Sequence, residues 1–336
     1  MPLHIGSNRI GLAAYSFPWR CGFAGSGTAR VCTKPLRADD LLSLAIDYGL
    51  AGLEIPLVLL PDTSPETLRA FRERAEAHDI AIVVDAPVVD EADMARVIPA
   101  AAALGARVVR VMLSGILEGA RTTAPGGWPA YLEQMIARLK RVRPLAEAHN
   151  IIIAPENHQD ATSADLIRVC EEVGGDHIGV TLDAVNPLAV AEEPIAFARA
   201  LGTRIVDVHL KDYRIHPTDS GYRLVRSALG EGVLDLPALF GVLAEVAPHA
   251  TCNIELAAIY ARHIRIYEDA WWEGFGSRDV RDLLPVLRFV RQHMRPADEE
   301  WRTPWERDAD LAEVGAYEED QVARSVAYMR SLAGSR

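Results

Sequence analysis

Short apolar runs alternate with amphipathic stretches along the whole chain. The strand-like runs occupy residues 10–15, 52–55, 81–85, 108–113, 151–155, 178–183, 205–209 and 252–256. Each is apolar along its length rather than at every second position, the pattern of a strand covered on both faces. Helical periodicity follows each in turn: 39–48, a stretch opened by Thr63-Ser-Pro-Glu66, then 90–104, 129–149, 163–173, 187–201, 236–246 and 278–293. Ser or Thr ahead of Pro and Glu is a helix start. Gly49, Gly105, Gly174 and Gly202 stand just past helix ends, where a left-handed cap is wanted. Eight such units in strict alternation predict an α/β fold of the (β/α)8 TIM-barrel type. An open doubly wound sheet would usually show a Gly-rich phosphate loop after its first strand. Here that strand runs into Ser16-Phe-Pro-Trp-Arg-Cys21.

Four connections exceed what a minimal barrel needs: 16–35, 114–128, 211–232 and 257–277. All follow strands, so all are expected on the catalytic face. The reading divides the chain into a barrel over 1–295 and a C-terminal extension over 296–336. The extension opens on a polar, Trp-bearing linker and ends in a helix expected over 311–332.

The four strongest chemical signals are the ends of the last four strands. They read Pro155-Glu156-Asn-His158, Leu182-Asp183-Ala-Val-Asn186, Val208-His209-Leu-Lys211-Asp212 and Ile254-Glu255-Leu256. Strand ends of a parallel barrel converge at its mouth, so Glu156, Asp183, His209 and Glu255 should meet in one ring. Three carboxylates so placed repel one another unless a cation sits between them. With one imidazole and no thiolate the set is hard, and suits Mn²⁺ best, with Mg²⁺ or Co²⁺ as alternatives.

Other residues extend this picture. Strand alternation points His158 toward the mouth one step beyond Glu156, as a candidate general base; the alternative is a helix-capping histidine. Glu156 and Glu255 are candidates for the same proton transfer. Lys211 could neutralise an enediolate, or be a surface lysine. Glu54 and Arg110 could bind sugar hydroxyls, and Glu54 could equally be an ion-pair partner inside the barrel. Aromatic residues crowd the catalytic-face loops, Trp271 and Trp272 among them, and suit stacking on a ring-bearing substrate or packing within the loops.

Composition narrows the function classes. The net charge is −12 and the pI about 5.3, which argues against a nucleic-acid partner. No run approaches a membrane span, and the N-terminus lacks a signal-peptide pattern, so a cytoplasmic protein is expected. The four cysteines show no C-x-x-C spacing and are expected as reduced thiols.

Residues 8–295 resemble the xylose-isomerase-like barrels grouped as sugar phosphate isomerases and epimerases. The resemblance rests on Gly52-Leu-Glu54-Ile, Glu156-Asn-His158, Asp183-x-x-Asn186, His209-Leu-Lys-Asp212 and Leu229-Gly-Glu-Gly232. It implies metal binding at Glu156, Asp183, His209 and Glu255, and a small sugar or glycoside as substrate. It implies proton abstraction α to a carbonyl, through an enediolate, by an isomerase or epimerase. Many ketose epimerases carry His where this chain has Asn186, which weakens that branch. Related barrels are lyases or dehydratases, including catalytic α subunits of C-glycoside deglycosidases that expel an aglycone from a 3-oxo-glycoside. A homo-oligomer, or a hetero-oligomer with a small partner subunit, is implied accordingly. A non-catalytic barrel subunit is the alternative from another class.

Overall fold

The computed structural model describes residues 2–334. A short strand β1 (His4–Ile5) pairs antiparallel with the first barrel strand, β2 (Asn8–Ala13). Then come β3 (Gly52–Pro56), β4 (Ala81–Val88), β5 (Val108–Met112), β6 (Ile152–Glu156), β7 (Val180–Asp183) and β8 (Ile205–Leu210). A hairpin, β9 (Asp212–Thr218) and β10 (Gly221–Ser227), precedes the last barrel strand, β11 (Thr251–Ile254), and a short β12 (Arg262–Ile264). The eight barrel strands are parallel and in sequence order, and the pairing of β2 with β3 closes the ring. This is the expected TIM barrel.

The helices are α1 (Ala38–Asp47), α2 (Pro65–Glu76), α3 (Glu91–Ala103), α4 (Trp128–His149), α5 (Ser163–Val173), α6 (Pro194–Leu201), α7 (Leu236–Val246), α8 (Asp269–Trp272), α9 (Val280–Gln292) and α10 (Leu311–Gly334). Local chemistry sets their starts. Ser64 accepts from Thr67 N ahead of Pro65, and Thr162 and Asp165 form a reciprocal capping box on α5. One expected helix is broken. Residues 187–201 divide into a 3-10 turn (Asn186–Val190) and α6, because Pro194 fits a first helical turn but not a helix interior.

Two apolar cores result, and they reassign the last helices. Val322, Val326 and Met329 of α10 belong to the barrel's own cluster. Arg330 of the same helix bonds the Tyr48 carbonyl at 2.9 Å. Helix α9, read as the eighth barrel helix, instead sends Val286 and Val290 into a second cluster with Tyr213, Tyr222, Ile264 and Trp271. That cluster lies under a three-stranded antiparallel sheet, β12-β10-β9. The connection over 211–232 is thus half of a small cap built on the barrel. Its hinge with β8 is fixed by Asp212, whose carboxylate accepts from the backbone N–H groups of Tyr213, Gly230, Gly232 and Leu234 at 2.9–3.1 Å. Gly232 passes so close to Asp212 that a Cβ there would collide with it.

Candidate functional site

Strand register brings the four expected residues together. Glu156 and Asp183 are the last residues of β6 and β7, and Asp183 is level with His209 on β8. His209 is level in turn with Asn253, so Glu255 stands just past the end of β11. Ligand atoms of Glu156, Asp183, His209 and Glu255 all lie within 4.8 Å of one another. All four residues are buried.

Each side chain is held by a second one. Arg110 bridges Asp85, at 2.6 Å, and Glu156 Oε2. Lys211 Nζ bonds Asp183 Oδ2 and lies 2.6 Å from Glu255 Oε2. The remaining oxygens turn inward: Glu156 Oε1 is 3.3 Å from His209 Nδ1, and Asp183 Oδ1 is buried with no hydrogen-bond partner. His209 Nδ1 also lies 3.4 Å from Glu255 Oε2. Atoms bound about 2.1 Å from one cation stand about 3.0–3.4 Å apart by simple polyhedral geometry. The two His209 contacts fit that spacing, and the four residues, with ligand atoms within 4.8 Å of one another, could hold a divalent metal.

Burial and charge act together on the cluster. Glu54, Asp85, Glu156, Asp183, Asp207 and Glu255 are buried in one network with two permanent cations, Arg110 and Lys211. Burial pushes Asp183 up to about 6 although Lys211 pulls it down. Burial likewise raises Asp85 to about 7 against the pull of Arg110. His209 is driven well above the usual imidazole range by Glu54, Glu255 and Glu156, which outweigh its burial. Glu156 and Glu255 are instead held below the usual carboxylate range against their burial, the first chiefly by Arg110 and the second chiefly by Lys211.

The other candidates take distinct places. Glu54 is the ion-pair partner that its alternative reading described. It lies inside the barrel and accepts from His209 Nε2 at 2.9 Å. Arg110 is committed to two carboxylates rather than open to sugar hydroxyls. Lys211 is a buried ion-pair partner, not a surface lysine. His158 does border the cluster, and its Nδ1 is shielded with no partner. Burial lowers it to about 4 despite the pull of Glu156, so it is neutral at pH 7 but a weaker base than an ordinary histidine. Trp271 and Trp272 pack edge to face, 4.7 Å between centroids, within the cap core. Their indole N–H groups are bound by the Glu118 and Ile266 carbonyls at 2.8 Å. Both indoles are thus packed and hydrogen-bonded in the cap. A cleft of about 900 Å³, lined by Arg121, Trp128, Phe275 and Arg278, lies outside the four-residue cluster.

Sequence reasoning missed Asp85 and Tyr213 as site residues and passed over Tyr15 as one loop aromatic among several. The Tyr15 hydroxyl is raised to about 12, by burial and then by Asp85, Glu255 and Glu156, and its ring stacks on Phe23 at 4.5 Å. Tyr213 of the cap donates to Asn186 Oδ1 at 2.8 Å, which joins cap to barrel three residues beyond Asp183. Asp85 is level with Arg110 in neighbouring strands, but nothing in either segment alone marks the pair.

The four cysteines are free. Among the described residues no helix is long and apolar enough to cross a membrane.

Comparison with known proteins agrees with the architecture. The chain is 26% identical over 233 residues to the 3-oxo-isoapionate decarboxylase of Pectobacterium atrosepticum, covering 68% of this chain and 78% of that one. Its fold is similar to D-psicose 3-epimerase from Clostridium cellulolyticum, with a TM-score of 0.57, 14% identity, and 85% and 99% of the two chains covered. It is also similar to a zinc-bound IolI protein, with a TM-score of 0.55, 17% identity, and 85% and 99% covered. A family model described as a xylose isomerase-like TIM barrel matches residues 42–269, and the chain belongs to that family.

Proposed function

We propose that the protein is a divalent-metal-dependent enzyme that removes a proton α to a carbonyl in a keto sugar or sugar derivative. One observation carries this reading. Glu156 and Asp183 each have one oxygen tied to a buried cationic side chain and the other turned toward His209 Nδ1 or left without a partner. The metal, most simply Mn²⁺, would be held by Glu156, Asp183, His209 and Glu255. When bound it supplies Lewis-acid polarisation of a carbonyl or hydroxyl oxygen. Arg110 and Lys211 keep the carboxylates ionised and turned inward. His158, a neutral ring at pH 7, offers an unpaired Nδ1 as acceptor for the substrate proton in the tautomer that carries its own proton on Nε2; Glu156 or Glu255 is the alternative base. An enediolate reprotonated on carbon gives an isomerase or epimerase.

A second reading is supported by the similarity to a decarboxylase that acts on a 3-oxo substrate. There a carbon–carbon bond breaks instead of the C–H bond, the electron pair enters the same kind of enediolate, and a proton is delivered to carbon afterwards. The aglycone-expelling lyase and the dehydratase instead lose a β-substituent after deprotonation. The reading takes a small sugar or glycoside as ligand, and includes assembly with a second copy or a small partner subunit.

Deuterium exchange tests the proposal. Incubated with keto sugars and Mn²⁺ in D₂O, the wild type should wash deuterium into the carbon α to the carbonyl. His158→Ala should keep its metal but exchange about 10²–10⁴-fold more slowly. Exchange at the wild-type rate in the variant would transfer the base role to a carboxylate. No exchange with any keto sugar, but loss of CO₂ from a 3-oxo acid, would select the second reading.

A further inference from the structure

His209 belongs to two buried groups. Above it are Glu156, Asp183 and Glu255; below it are Glu54 and Asp207. The distances separate their roles. Nδ1 is 3.3 Å and 3.4 Å from the carboxylate oxygens above, which is long for a hydrogen bond to a charged group but ordinary for two atoms sharing a cation. Nε2 is 2.9 Å and 3.0 Å from the two oxygens of Glu54. That is the spacing of a direct hydrogen bond to a charged partner. Asp207 Oδ2 is 3.9 Å from Nε2, too far to replace Glu54.

Glu54 is itself held in place. It is 2% exposed and accepts from Asn253 Nδ2 at 3.4 Å, while the same amide donates to Asp207 at 3.2 Å. Asn253 Oδ1 occupies the space that a Cβ on Gly11 would need, so Gly11 leaves room for this amide. The carboxylate beneath His209 thus meets one ring nitrogen only.

We infer that Glu54 is a positioning residue: it binds Nε2–H of His209 and thereby presents the Nδ1 lone pair to the metal. This rests on the metal reading above. A carboxylate on the far nitrogen fixes the tautomer, fixes the ring plane and raises ligand basicity, and such partners typically contribute 10–100-fold to metal affinity.

The test uses the full chain as Glu54→Gln and Glu54→Ala, stripped with chelator and titrated with Mn²⁺ while free ion is followed by electron paramagnetic resonance. In parallel, ¹⁵N-histidine spectra of the Zn²⁺-loaded proteins report which ring nitrogen carries the proton. Glu54→Ala should weaken Mn²⁺ binding about 10–100-fold and broaden or shift the His209 signals. Glu54→Gln should lose less, since its carbonyl still accepts from Nε2–H without the charge. Both folded variants binding with the wild-type Kd and unchanged ¹⁵N signals would overturn the inference. If Glu54→Ala does not fold, Glu54→Gln decides alone, and an unchanged Kd and spectrum in it overturns the inference equally. A wild type that takes up neither ion overturns the metal reading, and the role of Glu54 with it. That result is distinct from tight wild-type binding with unaffected variants.

Discussion

Metal loading should raise the thermal stability of this protein, and the size of the effect follows from the site. Ligand atoms of Glu156, Asp183 and Glu255 lie within 4.8 Å of one another. At an effective dielectric constant near 20, two like charges at that separation repel by about 3.5 kcal/mol, so three pairs amount to about 10 kcal/mol. By the same rule Lys211, 2.6 Å from Glu255, returns about 6 kcal/mol, and its pairing with Asp183 and that of Arg110 with Glu156 return similar amounts, so the buried ion pairs hold the stripped site together. A divalent ion adds its own attraction to the oxygens these pairs leave over, and mass action sets how much of it appears as stability. At a hundredfold excess of metal over Kd the gain is about 2.7 kcal/mol, or roughly 5 °C in melting temperature for a chain of this size. The assay is thermal unfolding of chelator-stripped protein with Mn²⁺, Mg²⁺ or Co²⁺ added, alongside metal analysis. Asp183→Asn removes the carboxylate whose free oxygen faces the cluster, and should shrink the shift to about 1 °C or less. A stripped wild type whose melting temperature ignores every ion would refute the metal reading. An undiminished shift in Asp183→Asn would place the metal elsewhere.

Two further outcomes test the cap and the C-terminal helix. Trp271→Ala should destabilise the cap by about 3–5 kcal/mol, since a 6% exposed indole is removed and the Glu118 carbonyl loses its donor; limited proteolysis near residues 257–292 reads this, and a variant with only a raised KM would show that the indole meets substrate instead. Glu318 of α10 is raised to about 7 by burial, against the bonds it accepts from Trp19 N and Arg20 N. The folded form thus holds this proton more tightly than the unfolded chain, whose carboxyl has the ordinary value of 4.5. Its contribution is fully present below about pH 4.5 and is lost as pH rises through 7, about 3 kcal/mol in all. Urea midpoints of wild type and Glu318→Gln between pH 5.5 and 8 should converge on the acid side and separate on the alkaline side; parallel curves would sink the assignment.

The barrel and the four converging residues were legible because both are written locally. A strand buried on both faces must be apolar throughout, so a carboxylate or imidazole at its end stands out, and parallel topology alone carries four such ends to one mouth. The cap is written in a different period. Tyr213 and Ile215, then Tyr222 and Leu224, alternate with polar residues on either side of Asp219-Ser220-Gly221, the signature of a half-buried hairpin. A search for continuous apolar runs passes over it and leaves a long loop. The exchange of roles between α9 and α10 was less accessible. The stripe Val322, Val326 and Met329 is as regular as that of Val286 and Val290, and periodicity shows that a face is buried without showing in which core. The partners of the charged residues were hidden for a related reason. Arg110 meets Asp85 across one strand boundary and Glu156 across the next, and Glu54 reaches His209 across the barrel interior. Both were candidates for sugar hydroxyls, with an ion pair inside the barrel as the equal alternative for Glu54, because such partners are far away in the chain. A buried arginine or glutamate near a strand end therefore predicts a counter-charge before it predicts a ligand. Here Arg110, Lys211 and Glu54 all take as partners the residues that the strand ends had already marked.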